Sequence, residues 1–88
     1  MKKGIYVYRD VLSGQYEYFG NFVNDAVAAR EFKAACNAAE VPANDLELYC
    51  ASRLDTVTGR IYRVDEDVQL SDAPVFVMKG EKNVQNNV

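Results

Sequence analysis

The sequence predicts an α+β fold: one antiparallel sheet of four to five strands with a single helix packed on one face, ordered ββαββ with a short final strand. Three observations carry this expectation. Segments of period-two alternation lie in both halves of the chain, an alanine-rich stretch with helical apolar spacing lies between them, and glycine-bearing turns separate the strands of each half. A chain of 88 residues has surface for one modest core. The expectation is a single domain over residues 1–78 and a polar, asparagine-rich tail, disordered, over 79–88.

Gly4 to Asp10 reads as the first strand, with Ile5 and Val7 towards the helix and Tyr6 and Tyr8 on the opposite side. Leu12, Ser13 and Gly14 make a turn, and Gln15 to Phe19 returns as the second strand of a hairpin, ended by Gly20-Asn21. Asn24 and Asp25 suit a helix N-cap. The alanine-rich run after them predicts a helix to about Glu40, with Ala28, Phe32, Ala35, Cys36 and Ala39 as its apolar stripe. Val41-Pro42 stops it, because proline lacks an amide hydrogen and restricts the residue before it.

Leu46 to Leu54 alternates most clearly, with Leu46, Leu48, Cys50, Ser52 and Leu54 on one side and Glu47, Tyr49, Ala51 and Arg53 on the other. Asp55 to Gly59 forms a turn, and Arg60 to Val64 pairs back. The acidic run Asp65 to Asp67 is expected to be solvated, Val68 to Leu70 is too short to assign, and Pro74 to Met78 reads as a short edge strand. One helix covers one sheet face, so the other face is left open for function.

The residue inventory excludes several function classes. The chain has no histidine, its serines and cysteines therefore have no evident general base, and no glycine-rich phosphate loop is present. We expect no enzyme activity, no cofactor and no metal. Cys36 and Cys50 stand in no metal-ligand spacing and read as small buried apolar residues. No apolar stretch is long enough to span a membrane, and Lys2-Lys3 is followed by Tyr8, Arg9 and Asp10 before any apolar segment develops, so a cytosolic location is expected. Ten basic against thirteen acidic residues give a net charge of −3, which argues against a duplex-DNA binder because phosphate neutralisation supplies most of that affinity.

Tyrosine is the feature that stands out. All six lie in predicted strands. Alternation places Tyr6, Tyr8, Tyr49, Arg53, Arg60 and Tyr62 on the open face, where rings could stack on single-stranded bases and guanidiniums could meet phosphate, with Arg30 and Lys33 of the helix as further candidate phosphate contacts. The same face suits a second copy of the chain, since aromatic patches are common at protein interfaces and a small core gains stability by association. On the residues alone the homodimer face is favoured over the stacking platform. The two are compatible if a dimer makes one groove.

The N-terminal strand ending at Asp10, the helix entry Asn24-Asp25-Ala26 with Ala29-Arg30-Glu31-Phe32 and Asn37, and Asp45-Leu46-Glu47-Leu48-Tyr49 leading into Leu54-Asp55-Thr56-Val57-Thr58-Gly59-Arg60-Ile61 span most of residues 4 to 78. In this order and spacing the chain resembles the small nonstructural protein of gokushovirus-type single-stranded DNA phages, the Microviridae. One departure is that Cys50-Ala51-Ser52-Arg53 stands where the family has an aliphatic residue, a glycine and an aromatic. The resemblance implies a non-capsid phage protein in the cytoplasm of the bacterial host that binds DNA, connected with the switch from duplex replication to single-stranded genome synthesis and packaging. Single-stranded DNA is then the expected partner. The alternative is an interaction module that engages a phage replication or capsid-assembly protein without touching nucleic acid.

Overall fold

A computed structural model describes residues 2–38, 43–62 and 74–81. Its elements are β1 (Lys2–Asp10), β2 (Gln15–Phe22), α1 (Asp25–Ala38), a short 3-10 turn (Ala43–Asp45), β3 (Leu46–Asp55), β4 (Ile61–Tyr62) and β5 (Val75–Lys79). They form one five-stranded sheet in the order β2-β1-β3-β4, all pairs antiparallel, with β5 also on β3. Because β4 pairs with Arg53 and Leu54 while β5 pairs with Glu47 to Cys50, the two short strands share one flank of β3 end to end. The expected α+β architecture is the observed one.

Both hairpins turn by the same chemistry. Asp10 and Asp55 each hold the turn with a side-chain oxygen, taking N–H bonds from Leu12 (3.0 Å) and from Val57 and Thr58 (2.8 and 3.2 Å). Gly14 and Gly59 close the loops with N–H bonds to the Asp10 and Asp55 carbonyls, at φ +75° and +78°, where a β-carbon is disfavoured. Asn24 caps α1, its Oδ1 accepting the Val27 N–H at 2.9 Å.

Element limits shift modestly from the sequence reading. β1 begins at Lys2, and β2 runs through Gly20-Asn21 to Phe22 because a bulge at Phe19 keeps Gly20 in register with Tyr6 and Asn21 with Ile5. β5 reaches Lys79, and buried Gly80 bonds through its N–H to the Leu46 carbonyl. The helix terminus beyond Ala38, the Val41-Pro42 stop, the strand past Tyr62, the run Asp65 to Leu70 and the tail from residue 82 lie outside the described residues.

The core corrects the facing of β1. Tyr6 is fully buried under the helix, with Ala28, Phe32, Cys36, Ala43, Leu48 and Cys50, and Tyr8, Phe19 and Phe22 pack around them. The cause is volume. An alanine-rich helix carries few large side chains, so the sheet must supply the bulk that fills the space between them, and rings do this better than Ile5 and Val7. Gly4 makes the room, since a β-carbon there would overlap the Tyr6 ring. Phe19 meets Phe32 edge-on at 5.6 Å and Tyr6 meets Phe22 at 5.8 Å. Ala35, expected in the apolar stripe, is exposed.

A second bulge corrects β3. Tyr6 pairs with Cys50 and Ile5 with Ser52, so Ala51 is the extra residue and the alternation reverses there. Ser52 and Leu54 therefore share the open face with Ile5 and Lys3, and Arg53 turns to the helix side in register with Gly4.

Candidate functional site

The face away from the helix carries a continuous row of aromatic rings. Tyr16 of β2 meets Tyr49 of β3 with centroids 5.5 Å apart at 68°, and Tyr49 meets Phe76 of β5 at 5.6 Å and 75°. Edge-to-face geometry at this spacing is favourable for such rings. The row crosses the sheet from edge to edge, over Val7, which is in register with Tyr18 on one side and Tyr49 on the other. Tyr18 is 65% exposed and Phe76 53%. Ile61, also exposed, extends the apolar surface beside Leu54.

Charge on this face is ordered around Glu47. Its Oε1 accepts the Tyr49 hydroxyl at 2.8 Å and lies 3.7 Å from Arg9 Nη1. The Tyr49 phenol is held above its ordinary pKa, first by that bond to a carboxylate and then by burial, so it stays neutral. The Arg9 guanidinium also lies 6.0 Å from the Tyr16 ring centre, within cation-π range. Register puts Lys79 opposite Glu47 and Lys3 opposite Leu54, so both join Arg9 on the open side. Among the described residues, one carboxylate thus stands with three cations along the strands of this face.

On the helix side a different cluster forms at the N-terminus of α1. The Tyr6 hydroxyl donates to Asp25 Oδ1 at 2.5 Å, and Arg53 Nη2 approaches the same oxygen at 3.7 Å. Burial, then the bond to Asp25, pushes the Tyr6 phenol far above its ordinary range. Tyr62, in register with Arg53, receives Lys2 Nζ over its ring at 4.1 Å. Burial likewise raises the Cys50 thiol, which suits a structural cysteine. Neither cysteine is in a disulfide.

A family model described as Phage ORF5 protein matches residues 3–80, most of the chain. The chain belongs to the Phage ORF5 protein family. It is a bacteriophage protein. No curated protein matches it, and no solved structure does.

Within this ORF5-family chain the residues singled out by alternation divide into groups. Tyr49 lies on the open face as expected. Tyr6 and Tyr8 do not, being drawn beneath the helix by its small side chains. Arg53 and Tyr62 stand on the helix side because of the Ala51 bulge. Arg60 is exposed just beyond the β3-β4 turn, its carbonyl accepting the Asp55 N–H. Arg30 and Lys33 are exposed on α1, on the far side of the sheet from Tyr49, and Arg30 lies 3.7 Å from Glu31. The open face adds Arg9, Tyr16, Tyr18 and Phe76, which alternation did not select. The signal for them was present: once Tyr8 is assigned inward, Arg9 and its partner Tyr16 must face outward. Among the described residues no group of histidine, cysteine and carboxylates could hold a metal, and no helix is long and apolar enough to cross a membrane.

Proposed function

We propose that this ORF5-family protein binds single-stranded DNA non-enzymatically on its open sheet face, during phage genome replication or packaging. The observation that carries the reading is the Tyr16-Tyr49-Phe76 row with Arg9, Lys3 and Lys79 on the same face. Aromatic rings on an uncovered sheet stack on splayed bases while neighbouring cations track the backbone. A duplex hides its bases from such a surface. The resemblance to proteins of single-stranded DNA phages makes the viral strand the natural ligand.

The test is fluorescence anisotropy of a labelled single-stranded oligonucleotide at low and moderate salt, with duplex competitor. Saturable, salt-weakened binding that prefers the single strand is expected. Tyr49→Ala removes one ring, and with stacking near 1–3 kcal/mol per base it should weaken binding by about 5- to 150-fold. No binding at low salt would reject the reading.

The net charge of −3, and the Glu47 carboxylate bonded to Tyr49 of the row, favour a second reading. In it the exposed rings dock a protein, either a second copy of the chain or a phage replication or capsid-assembly protein. A complex that survives nuclease and tolerates salt would mark this version.

A further inference from the structure

A cleft opens on the helix side of the sheet, between α1 and the tip of the β1-β2 hairpin, on the opposite side of the sheet from the aromatic row. Its volume is about 310 Å³, the lower end of the range for small-ligand sites. Buried Phe32 and Cys36 form its floor, and half-buried Tyr8, Phe19 and Leu46 its walls. The rim carries two carboxylates, Asp10 and Glu17, and among the described residues no lysine or arginine lines the cleft. Register sets both carboxylates beside Tyr8, since Tyr8 pairs with Glu17 and Asp10 follows two residues later on the same face. One Asp10 oxygen is engaged by the Leu12 N–H, and among the described residues Glu17 receives a long 3.5 Å contact from the Tyr8 hydroxyl. After burial, the charges of Glu17 and Asp10 both raise the Tyr8 phenol, so their negative field reaches the cleft wall.

We propose that this cleft is a binding site for a protein segment that inserts one apolar side chain and sets an adjacent lysine or arginine against Asp10 and Glu17. The polarity of the cleft selects this arrangement. An apolar group displaces water from the ring-lined floor, while a cation stays at the wet rim, where a carboxylate can hold it without full desolvation. A segment carrying an acidic residue beside the anchor meets two like charges and is rejected.

The experiment uses nuclear magnetic resonance titration of the whole chain with phenethylammonium, with neutral 2-phenylethanol and anionic 3-phenylpropionate as matched controls. Two capped dipeptides, acetyl-Leu-Arg-amide and acetyl-Leu-Gln-amide, form the second arm. The ammonium should shift amides of Phe19, Phe32 and Leu46 and bind about threefold to tenfold tighter than the alcohol, the scale of two partly exposed ion pairs. The propionate should bind weakest. Asp10→Asn with Glu17→Gln, which keeps the Asp10 side-chain acceptor for Leu12, should bring the ammonium to the level of the alcohol. Ala35→Leu, an exposed helix position on the cleft, should block every probe without touching the carboxylates. The arginine dipeptide should exceed both its glutamine counterpart and the ammonium. Equal binding of cation, alcohol and anion, or shifts confined to other parts of the sheet, would overturn the site. Binding of the ammonium without the dipeptide would overturn the protein segment as its occupant. None of these readouts involves DNA, so the result is independent of the open face.

Discussion

Replacing Tyr6 with phenylalanine separates a core tyrosine from a stacking one. The ring is fully buried, so the substitution keeps the core volume and removes only the hydroxyl that bonds Asp25 at 2.5 Å. A hydrogen bond to a charged group contributes about 1.5–3 kcal/mol. Asp25 is about half exposed, and water takes over part of that bond, so the net loss should lie near the lower end, about 1–2 kcal/mol. Urea unfolding of a chain this size has a slope of about 1 kcal/mol per molar. The midpoint should therefore fall by about 1–2 M, with unchanged affinity for single-stranded DNA. The same pair sets an alkaline limit. The folded phenol titrates above its unfolded value of about 10, so the stability from this group is complete below that pH and is lost as pH rises through the folded value. The phenylalanine variant should lack this component of alkaline unfolding. An unchanged urea midpoint, or weakened DNA binding at full stability, would refute the placement of Tyr6 under the helix.

Three further outcomes are expected. Arg9→Ala should lower the slope of log affinity against log salt by about 0.7, the value for one contact on a single strand, measured by anisotropy across a salt series. Gly59→Ala should cost about 1 kcal/mol in urea unfolding, because φ is +78° and nothing lies within 4 Å to add a steric term. The Asp55 carboxyl is held below its ordinary pKa, first by the Val57 N–H and then by that of Thr58. Its contribution is therefore present above the unfolded value of about 3.9 and lost as pH falls through the lower folded value; Asp55→Asn should remove that component of acid unfolding, followed by circular dichroism.

The elements were legible because each carried local chemistry: Asp-x-x-x-Gly turns, an Asn cap, and alternation that binds a strand to two faces. Which face turned inward was not legible in β1, because Ile5 and Val7 on one side and Tyr6 and Tyr8 on the other are both apolar enough for a core. The helix decided it, since a surface of alanines leaves a gap that only rings fill. In β3 the alternation was read correctly to Cys50 and reversed after it, because one unpaired residue leaves no mark in an apolar-polar pattern. Ala51 lies in the same four residues that depart from the family resemblance. Tyr49 was assigned correctly because it precedes that bulge. The place of Phe76 in the aromatic row is not legible, because its strand reads only as an edge and its pairing with Tyr49 is a tertiary contact.

The facing of the strands also bears on the charge argument against nucleic acid. A total of −3 describes an average over the surface, whereas a bound strand responds to the potential within about 8–10 Å of its own path. In the sheet, Asp10 and Glu17 face the cleft on the helix side, Asp25 stands at the helix terminus, and Asp55 is in register with Lys2 on the helix side. Among the described residues Glu47 alone of the strand carboxylates faces the open side, and it is engaged by Arg9 and the Tyr49 hydroxyl. Lys3 and Lys79 face the same way, with no other strand carboxylate between them among the described residues. Among the described strand residues, most acids therefore stand towards the helix, where Lys2 and Arg53 accompany them, while the ring side carries Lys3, Arg9 and Lys79 against Glu47 alone. A phosphate backbone laid along Lys3, Arg9 and Lys79 meets a locally positive surface on an acidic protein.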